Sequence, residues 1–306
     1  MLSITALTHV YANGVKALDA VSLEIPAGMF GLLGPNGAGK SSLMRCLATL
    51  QVPTSGQIRF TTNDGGAIDV LRDPAQLRAT LGYLPQDFGV YPRVSAIDML
   101  DHLAVLKGIA GRGDRRDTVE TLLKQVNLWD VRKKAIAGFS GGMRQRFGIA
   151  QALIANPRLI IVDEPTAGLD PEERNRFNNL LSEIGENVVV ILSTHIVDDV
   201  TDLCPRMAIL VGGRIVESGT PAALIDGLRG RIWQASIDKS QLEAARAQLP
   251  VIATRLRGGS TVIRVLSDAS PGSQFAPVEA SLEDVYFATL HTHRAAVAPA
   301  ALAKAA

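Results

Sequence analysis

Gly34-Pro35-Asn36-Gly37-Ala38-Gly39-Lys40-Ser41-Ser42 decides how the rest of this chain is read. Its first eight residues fit G-x-x-x-x-G-K-[ST], where missing side chains let the backbone wrap phosphates and successive N–H groups point inward. A helix that follows such a loop turns its positive end to the same anion. In this pattern Lys40 reaches the β- and γ-phosphates, and the Ser41 hydroxyl can ligate Mg²⁺. The flanks agree: an apolar run from Met29 to Leu33 precedes the loop, and a helical stretch from Lys40 to about Leu50 follows it.

A phosphate loop needs an acid at the end of a buried strand, and Leu159-Ile160-Ile161-Val162-Asp163-Glu164 supplies two. In that place Asp163 holds Mg²⁺ directly or through water, and Glu164 orients and deprotonates an attacking water. Leu159 to Val162 and Val188 to Leu192 are short continuous aliphatic runs, as expected of parallel strands buried on both faces. A helical stretch near Pro171 to Ile184 separates them, which makes a βαβ pattern.

Composition sets the outer limits. The 306 residues are 47% hydrophobic and 20% charged, which excludes disorder of the whole chain. Lysine plus arginine number 31 against 30 acidic residues, a formal charge of +1, so bulk electrostatics favour neither nucleic acid nor an anionic membrane. Cys46 and Cys204 sit in apolar runs without metal-type spacing and read as buried free thiols. The apolar runs are far shorter than the roughly 20 residues of a spanning helix. Met1 to Val10 makes a poor signal peptide. The expected location is the cytoplasm, with any membrane role exercised through a partner.

Ser3 to Tyr11 and Val21 to Ile25 read as strands. Gln57 to Phe60 and Ala67 to Val70 flank Asn63-Asp64-Gly65-Gly66, a hairpin signal. From about Ser95 to Asn156 the pattern is helical, with a loop expected at Gly111 to Asp117; Arg112-Gly113-Asp114 inside it reads as a coincidental tripeptide. Met207 to Val211 and Arg214 to Glu217 form a further hairpin around Gly212-Gly213. Beyond about Gly230 the chain reads as a small α+β appendage. Its strands are Arg231 to Ile237 and Thr261 to Leu266, its helices Leu242 to Gln248 and Ser281 to Leu290, the latter capped by Ser281 with Asp284. The alanine-rich end from Ala295 is expected to fray. These readings give a nucleotide-binding domain over 1–228 with a helical subdomain at about 88–155, an accessory domain over 229–294 and a disordered tail over 295–306.

What kind of phosphate-loop protein this is depends on further residues in a fixed order. Phe139-Ser140-Gly141-Gly142-Met143 opens a helix shortly before the Asp163 strand; Ala167-Gly168-Leu169-Asp170 and then Ser193-Thr194-His195 follow it. Over roughly residues 2 to 225 the chain resembles the nucleotide-binding subunits of ATP-binding cassette (ABC) transporters. Tyr11 looks like the residue that stacks on adenine, and Gln86 like the glutamine joining Mg²⁺ and water to the helical subdomain. Ser140 to Met143 resembles the family signature, Asp170 looks like the residue of the loop that communicates across the dimer, and His195 is similar to the γ-phosphate histidine. Taken singly, Tyr11 also reads as a strand-end aromatic, Gln86 as a solvated loop residue and His195 as a structural histidine. Phe139 and Met143 depart from the family's leucine and glutamine; methionine makes no amide hydrogen bond to a ribose.

The resemblance implies an α/β fold: a P-loop NTPase core with a mixed, mostly parallel sheet, an antiparallel β subdomain, a helical subdomain and the α+β appendage. It implies ATP and Mg²⁺ as ligands. Two copies would sit head to tail, each site completed by the partner's Ser140, Gly141 and Gly142, with integral-membrane permease subunits as the other partners and no nucleic acid. The sequence Leu282-Glu283-Asp284-Val285-Tyr286 looks like the extension of drug- and sodium-efflux members, so export of a drug-, lipid- or other hydrophobic-type cargo is expected. An importer subunit, or a soluble cassette ATPase acting on nucleic acid or ribosomes, is the alternative.

Overall fold

The computed structural model describes residues 1–302 apart from Asn63, Asp64, Asp87, Phe88, Val90, Tyr91, Pro92, Ala167, Gly168, Glu186 and Asn187, and only the backbone of 294–302. Two compact units divide the chain, Met1–Ile215 and Val216–Ala306.

In the first unit, β1 (Leu2–Val10), β2 (Lys16–Ile25), β4 (Ser55–Thr61) and β5 (Ala67–Asp69) form an antiparallel sheet of order β2-β1-β4-β5. The second sheet has order β10-β9-β3-β8-β7-β6. Its strands are β3 (Gly28–Leu33), β6 (Leu81–Leu84), β7 (Leu159–Asp163), β8 (Val189–Thr194), β9 (Arg206–Val211) and β10 (Arg214–Gly219). The pairs β3–β8, β3–β9, β6–β7 and β7–β8 are parallel. Every residue of β7 and β8 is buried, which explains their unbroken aliphatic character. Helix α1 (Lys40–Leu47) carries Leu43, Met44 and Leu47 into one cluster with Leu2, Ile58 and Phe60 of the first sheet and Ile161 and Ile191 of the second. That cluster fixes the start of α1, and so the phosphate loop, against both sheets. The fold is the expected α/β P-loop type.

Helix α2 (Pro74–Thr80) leads into β6; α3 (Ala96–Leu106), α4 (Arg112–Gln125) and α5 (Gly141–Leu153) pack on one another. The loop expected at Gly111 to Asp117 is instead the first turn of α4. An interior glycine costs a helix about 1 kcal/mol, which Gly113 sets against several gains. Asp114 complements the helix dipole, and Arg115 ties the start down by donating to Asp101 Oδ1 at 3.0 Å and to the Ala110 carbonyl at 2.8 Å. Helices α6 (Pro171–Ile184) and α7 (Val197–Leu203) follow β7 and β8. The hairpin expected around Asn63-Asp64 pairs Thr61 with Ala67, while the two turn residues lie outside the described residues.

The second unit joins α8 (Pro221–Asp226), β11 (Ile232–Ile237), α9 (Leu242–Gln248), β12 (Val251–Arg257), β13 (Ser260–Leu266), β14 (Ala276–Pro277) and α10 (Leu282–Leu302). Its antiparallel sheet has order β12-β13-β11-β14. Leu242 and Ala245 of α9 pack with Ile263 and Val265, and Ala288 of α10 with Ile232 and Ile252. The units separate earlier than the expected 228/229 boundary because α8 packs on α10. The expected frayed tail differs too: the α10 backbone stays helical to Leu302.

Candidate functional site

The phosphate loop leaves β3 and enters α1 through residues that only glycine suits. Gly37 and Gly39 have φ of 79° and 106°. A Cβ on Gly39 would meet the Ala17 carbonyl oxygen at 2.4 Å, and one on Gly34 would meet that of Leu210 at 2.5 Å. Pro35, Asn36 and Ala38 complete the loop, with Ala38 accepting from Gly213 N at 2.9 Å. Among the described residues no acid and no side-chain cap sits at the start of α1, so its first N–H groups stay open to an anion.

Lys40 is 6% exposed and folds back over the loop. Its Nζ donates to the Gly34 carbonyl at 2.6 Å and lies 3.3 Å from Glu164 Oε1. Glu164, at the end of β7, is as buried as Lys40 and sits at φ 51°, a left-handed conformation that costs a non-glycine residue about 1–3 kcal/mol. Its N–H donates to the Ser193 carbonyl at 2.8 Å, and its Oε2 lies 2.6 Å from His195 Nδ1. The imidazole is 47% exposed, so one face of the lysine–carboxylate–histidine line opens to solvent.

Asp163 lies beside this line, and its Oδ1, like Ser193 Oγ, is buried without a hydrogen-bond partner among the described residues. Burial pushes its carboxyl above the usual carboxylate range. The Ser193 and Ser41 hydroxyls pull the other way from close range without reaching hydrogen-bond geometry, the Glu164 charge adds to the rise, and Lys40 opposes it. A buried carboxylate oxygen with an open lone pair, next to the Ser41 hydroxyl, fits a small hard cation that takes few protein ligands and keeps oxygen ligands from phosphates and water.

Tyr11 is partly buried and engaged by two neighbours. Its hydroxyl is 2.8 Å from Ser42 Oγ, and His9 packs edge-on against it at 4.8 Å between ring centroids. Gln86 is exposed, and among the described residues it makes no hydrogen bond to Asp163 or Ser41. Ser140 caps α5 by accepting from Met143 N at 3.2 Å, and no hydrogen bond among the described residues joins it to the phosphate loop of its own chain. Asp170 caps α6, accepting from Glu173 N at 2.9 Å; Ala167 and Gly168 before it lie outside the described residues.

The pairing of α5 with α6 is not visible in the sequence. Glu173 Oε2 lies 3.3 Å from Arg146 Nε, pairing the first turn of α6 with α5, and a Cβ on Gly142 would meet that oxygen at 2.4 Å. Gly142 is thus small because an acid from the next helix occupies its side-chain space. Only the arginine at the signature's end and the acid three residues past Asp170 could have hinted at it.

A phosphate-wrapping loop, a buried lysine and a strand-end carboxylate hydrogen-bonded to histidine define a P-loop ATPase. The chain belongs to the ABC transporter family of ATP-binding subunits, whose profile, described as "ABC transporter", matches residues 18–167. The methionine import ATP-binding protein MetN 3 of Pseudomonas fluorescens is 38% identical over 77% of this chain and 73% of its own. The daunorubicin/doxorubicin resistance ATP-binding protein DrrA of Streptomyces peucetius is 31% identical over 91% and 81%. Among solved structures, the bacterial cassette MJ0796 in its dimeric form covers 72% of this chain and 98% of its own, with 26% identity and a TM-score of 0.64. A second structure of that cassette is a post-hydrolysis dimer bound to ADP and Pi. The protein is therefore an ATP-binding, ATP-hydrolysing subunit of a transporter, from a family whose cassettes dimerise and work with membrane permeases. No described helix is long and apolar enough to cross a membrane.

Proposed function

We propose that two copies of this chain bind Mg-ATP between them on the cytoplasmic face of the membrane and drive a separate permease that exports a drug-like, lipid or other hydrophobic compound. The carrying observation is the line from buried Lys40 and Glu164 to the half-exposed His195, beside an Asp163 oxygen without a hydrogen-bond partner among the described residues. In this reading Gly34 to Ser42 wrap the phosphates, Lys40 neutralises their charge and Tyr11 stacks on the adenine. Glu164 accepts the proton of the attacking water, and His195, hydrogen-bonded to it, faces the γ-phosphate. Ser41, Asp163 and Gln86 would hold Mg²⁺, which when bound offsets phosphate charge. Ser140, Gly141, Gly142 and Met143, together with Asp170, serve the partner's site, in keeping with their lack, among the described residues, of hydrogen bonds to their own phosphate loop.

Phosphoryl transfer asks chiefly for positioning and charge stabilisation, which such a two-sided clamp supplies. An apolar recess of about 760 Å³ lined by Leu50, Tyr83, Pro85, Leu103 and Leu106 adjoins Gln86 in sequence and supports a permease contact there. Leu50 and Leu106 are mostly exposed in it. The Leu282-to-Tyr286 stretch and DrrA, which aligns over 91% of this chain, support export; MetN of Streptomyces avermitilis, which aligns over 94% of it, supports import.

Replacing Glu164 with glutamine is expected to slow steady-state ATPase by about 10²- to 10⁴-fold, and unchanged turnover would remove it from the reaction. Lys40→Ala should abolish ATP binding or turnover. Co-purification with a multi-span membrane protein, followed by ATP-driven accumulation of an amphipathic dye in inside-out vesicles, tests direction. Accumulation supports export, whereas loss of preloaded substrate supports import. ATPase stimulated by nucleic acid would point to the soluble alternative.

A further inference from the structure

Asp199 is 0% exposed, yet it is a carboxylate that the phosphate chemistry leaves unused. It stands in the first turn of α7, four residues past His195. Its Oδ2 accepts from Thr166 Oγ1 at 2.5 Å, and its Oδ1 accepts from Arg174 Nε at 2.7 Å and from Asn178 Nδ2 at 3.5 Å. Thr166 lies two residues past Glu164, while Arg174 and Asn178 share one face of α6 four residues apart. One buried carboxylate thus ties the segment leaving β7 to the segment leaving β8. Glu164 and His195 sit on those two segments.

A buried charge held by three donors costs much desolvation and on its own is weak support for stability. It does fix geometry. The Glu164 backbone, at φ 51°, persists only if its surroundings hold it from more than one side. The bond from Glu164 N to the Ser193 carbonyl holds one side. The opposite side, beyond Glu164, is held through Thr166.

We propose that Asp199 is a positioning residue for ATP hydrolysis: through Thr166 it sets the loop that keeps the Glu164 carboxylate on His195. The proposal rests on Glu164 acting as the base, which Glu164→Gln tests by itself.

Thr166→Val removes one hydroxyl at nearly constant volume and leaves the Asp199–Arg174 pair in place. It is expected to lower kcat about 10- to 100-fold, the scale of a small misplacement of a reacting group. ATP affinity by equilibrium binding and KM should change less than about 2-fold. Thr166→Ser, which returns the donor, should restore most of the lost rate. In a Glu164→Gln background, Thr166→Val should cost little more, because both changes act on the same group. A tether that only stabilises the fold predicts otherwise: a lower melting temperature with kcat per folded molecule intact, or full additivity with Glu164→Gln. Either result overturns the proposal. If Asp199→Ala fails to fold, the Thr166 pair still decides the matter.

Discussion

Glu164 carries a conflict in its own backbone. The carboxylate must reach both Lys40 and His195 from the end of a straight buried strand, and the chain achieves this by turning at φ 51°, where a side chain costs energy. The cost is separable from the chemistry. Glu164→Ala and Glu164→Gly both lose the carboxylate and leave Lys40 with its loop carbonyl, but only glycine is at ease at positive φ. The glycine variant is expected to be more stable than the alanine variant by about 1 kcal/mol, read as a higher melting temperature, with both inactive. Equal melting temperatures would mean that the turn is not strained. The phosphate-loop pattern and the two acids at a strand end make Lys40, Asp163 and Glu164 candidates from the residues themselves, whereas His195 enters only through the resemblance to the family. Nothing along the chain discloses that the Tyr11 and Ser42 hydroxyls meet, or that Asp199 is wholly buried. Those are meetings of residues far apart in sequence.

At the scale of elements, the phosphate loop contrasts two kinds of glycine. Gly37 has a φ of 79° and, among the described residues, nothing within 4 Å of its missing Cβ, whereas Gly39 combines a φ of 106° with a backbone oxygen at 2.4 Å. Gly37→Ala should therefore cost only the strain of a left-handed alanine, about 1 kcal/mol, and keep measurable ATP binding. Gly39→Ala adds a clash that no rotamer relieves, worth roughly a further 1–3 kcal/mol, and should abolish binding by moving the start of α1. Comparable chemical-denaturation midpoints for the two variants would contradict the loop geometry. Elements with strong periodicity, β3, β7, β8 and α6, are legible because burial on both faces or on one stripe leaves a plain pattern. Helix α4 is not. Gly113 and a run of charges look like a loop, and contacts outside the run, from Arg115 to Asp101 and to the carbonyls it reaches, help to make a helix of them. Likewise α10 continues past the point where an alanine-rich tail suggests fraying, since alanine has the highest helix propensity.

The whole molecule offers its own reporter, because both thiols lie in the first unit and neither is reachable from solvent. Burial pushes Cys46 up to about 11. Burial, with a smaller push from the Asp199 carboxylate, takes Cys204 to about 12. At pH 8 the folded unit exposes almost no thiolate, so alkylation must wait for the unit to open and its rate follows the open population. A ligand that binds only the folded form stabilises it by mass action, and ATP is expected to act in this way. At 100 times its Kd it should stabilise that form by about 2.7 kcal/mol and slow labelling about 100-fold. Lys40→Ala should lose this protection while keeping slow labelling without nucleotide. The pH dependence has a definite sign: an unfolded thiol releases its proton at its ordinary value of 9.0 and a folded one only near 11 or 12. Between those values the folded state binds more protons, so stability falls as pH rises from about 9. Labelling should therefore accelerate above that pH faster than thiolate formation in the open chain alone accounts for. Fast labelling at pH 8, or labelling indifferent to ATP, would mean that the nucleotide does not hold the unit of α1 and β7 together. The loop, the buried acids and the two sheets would then not be the single cooperative body that couples ATP to a partner.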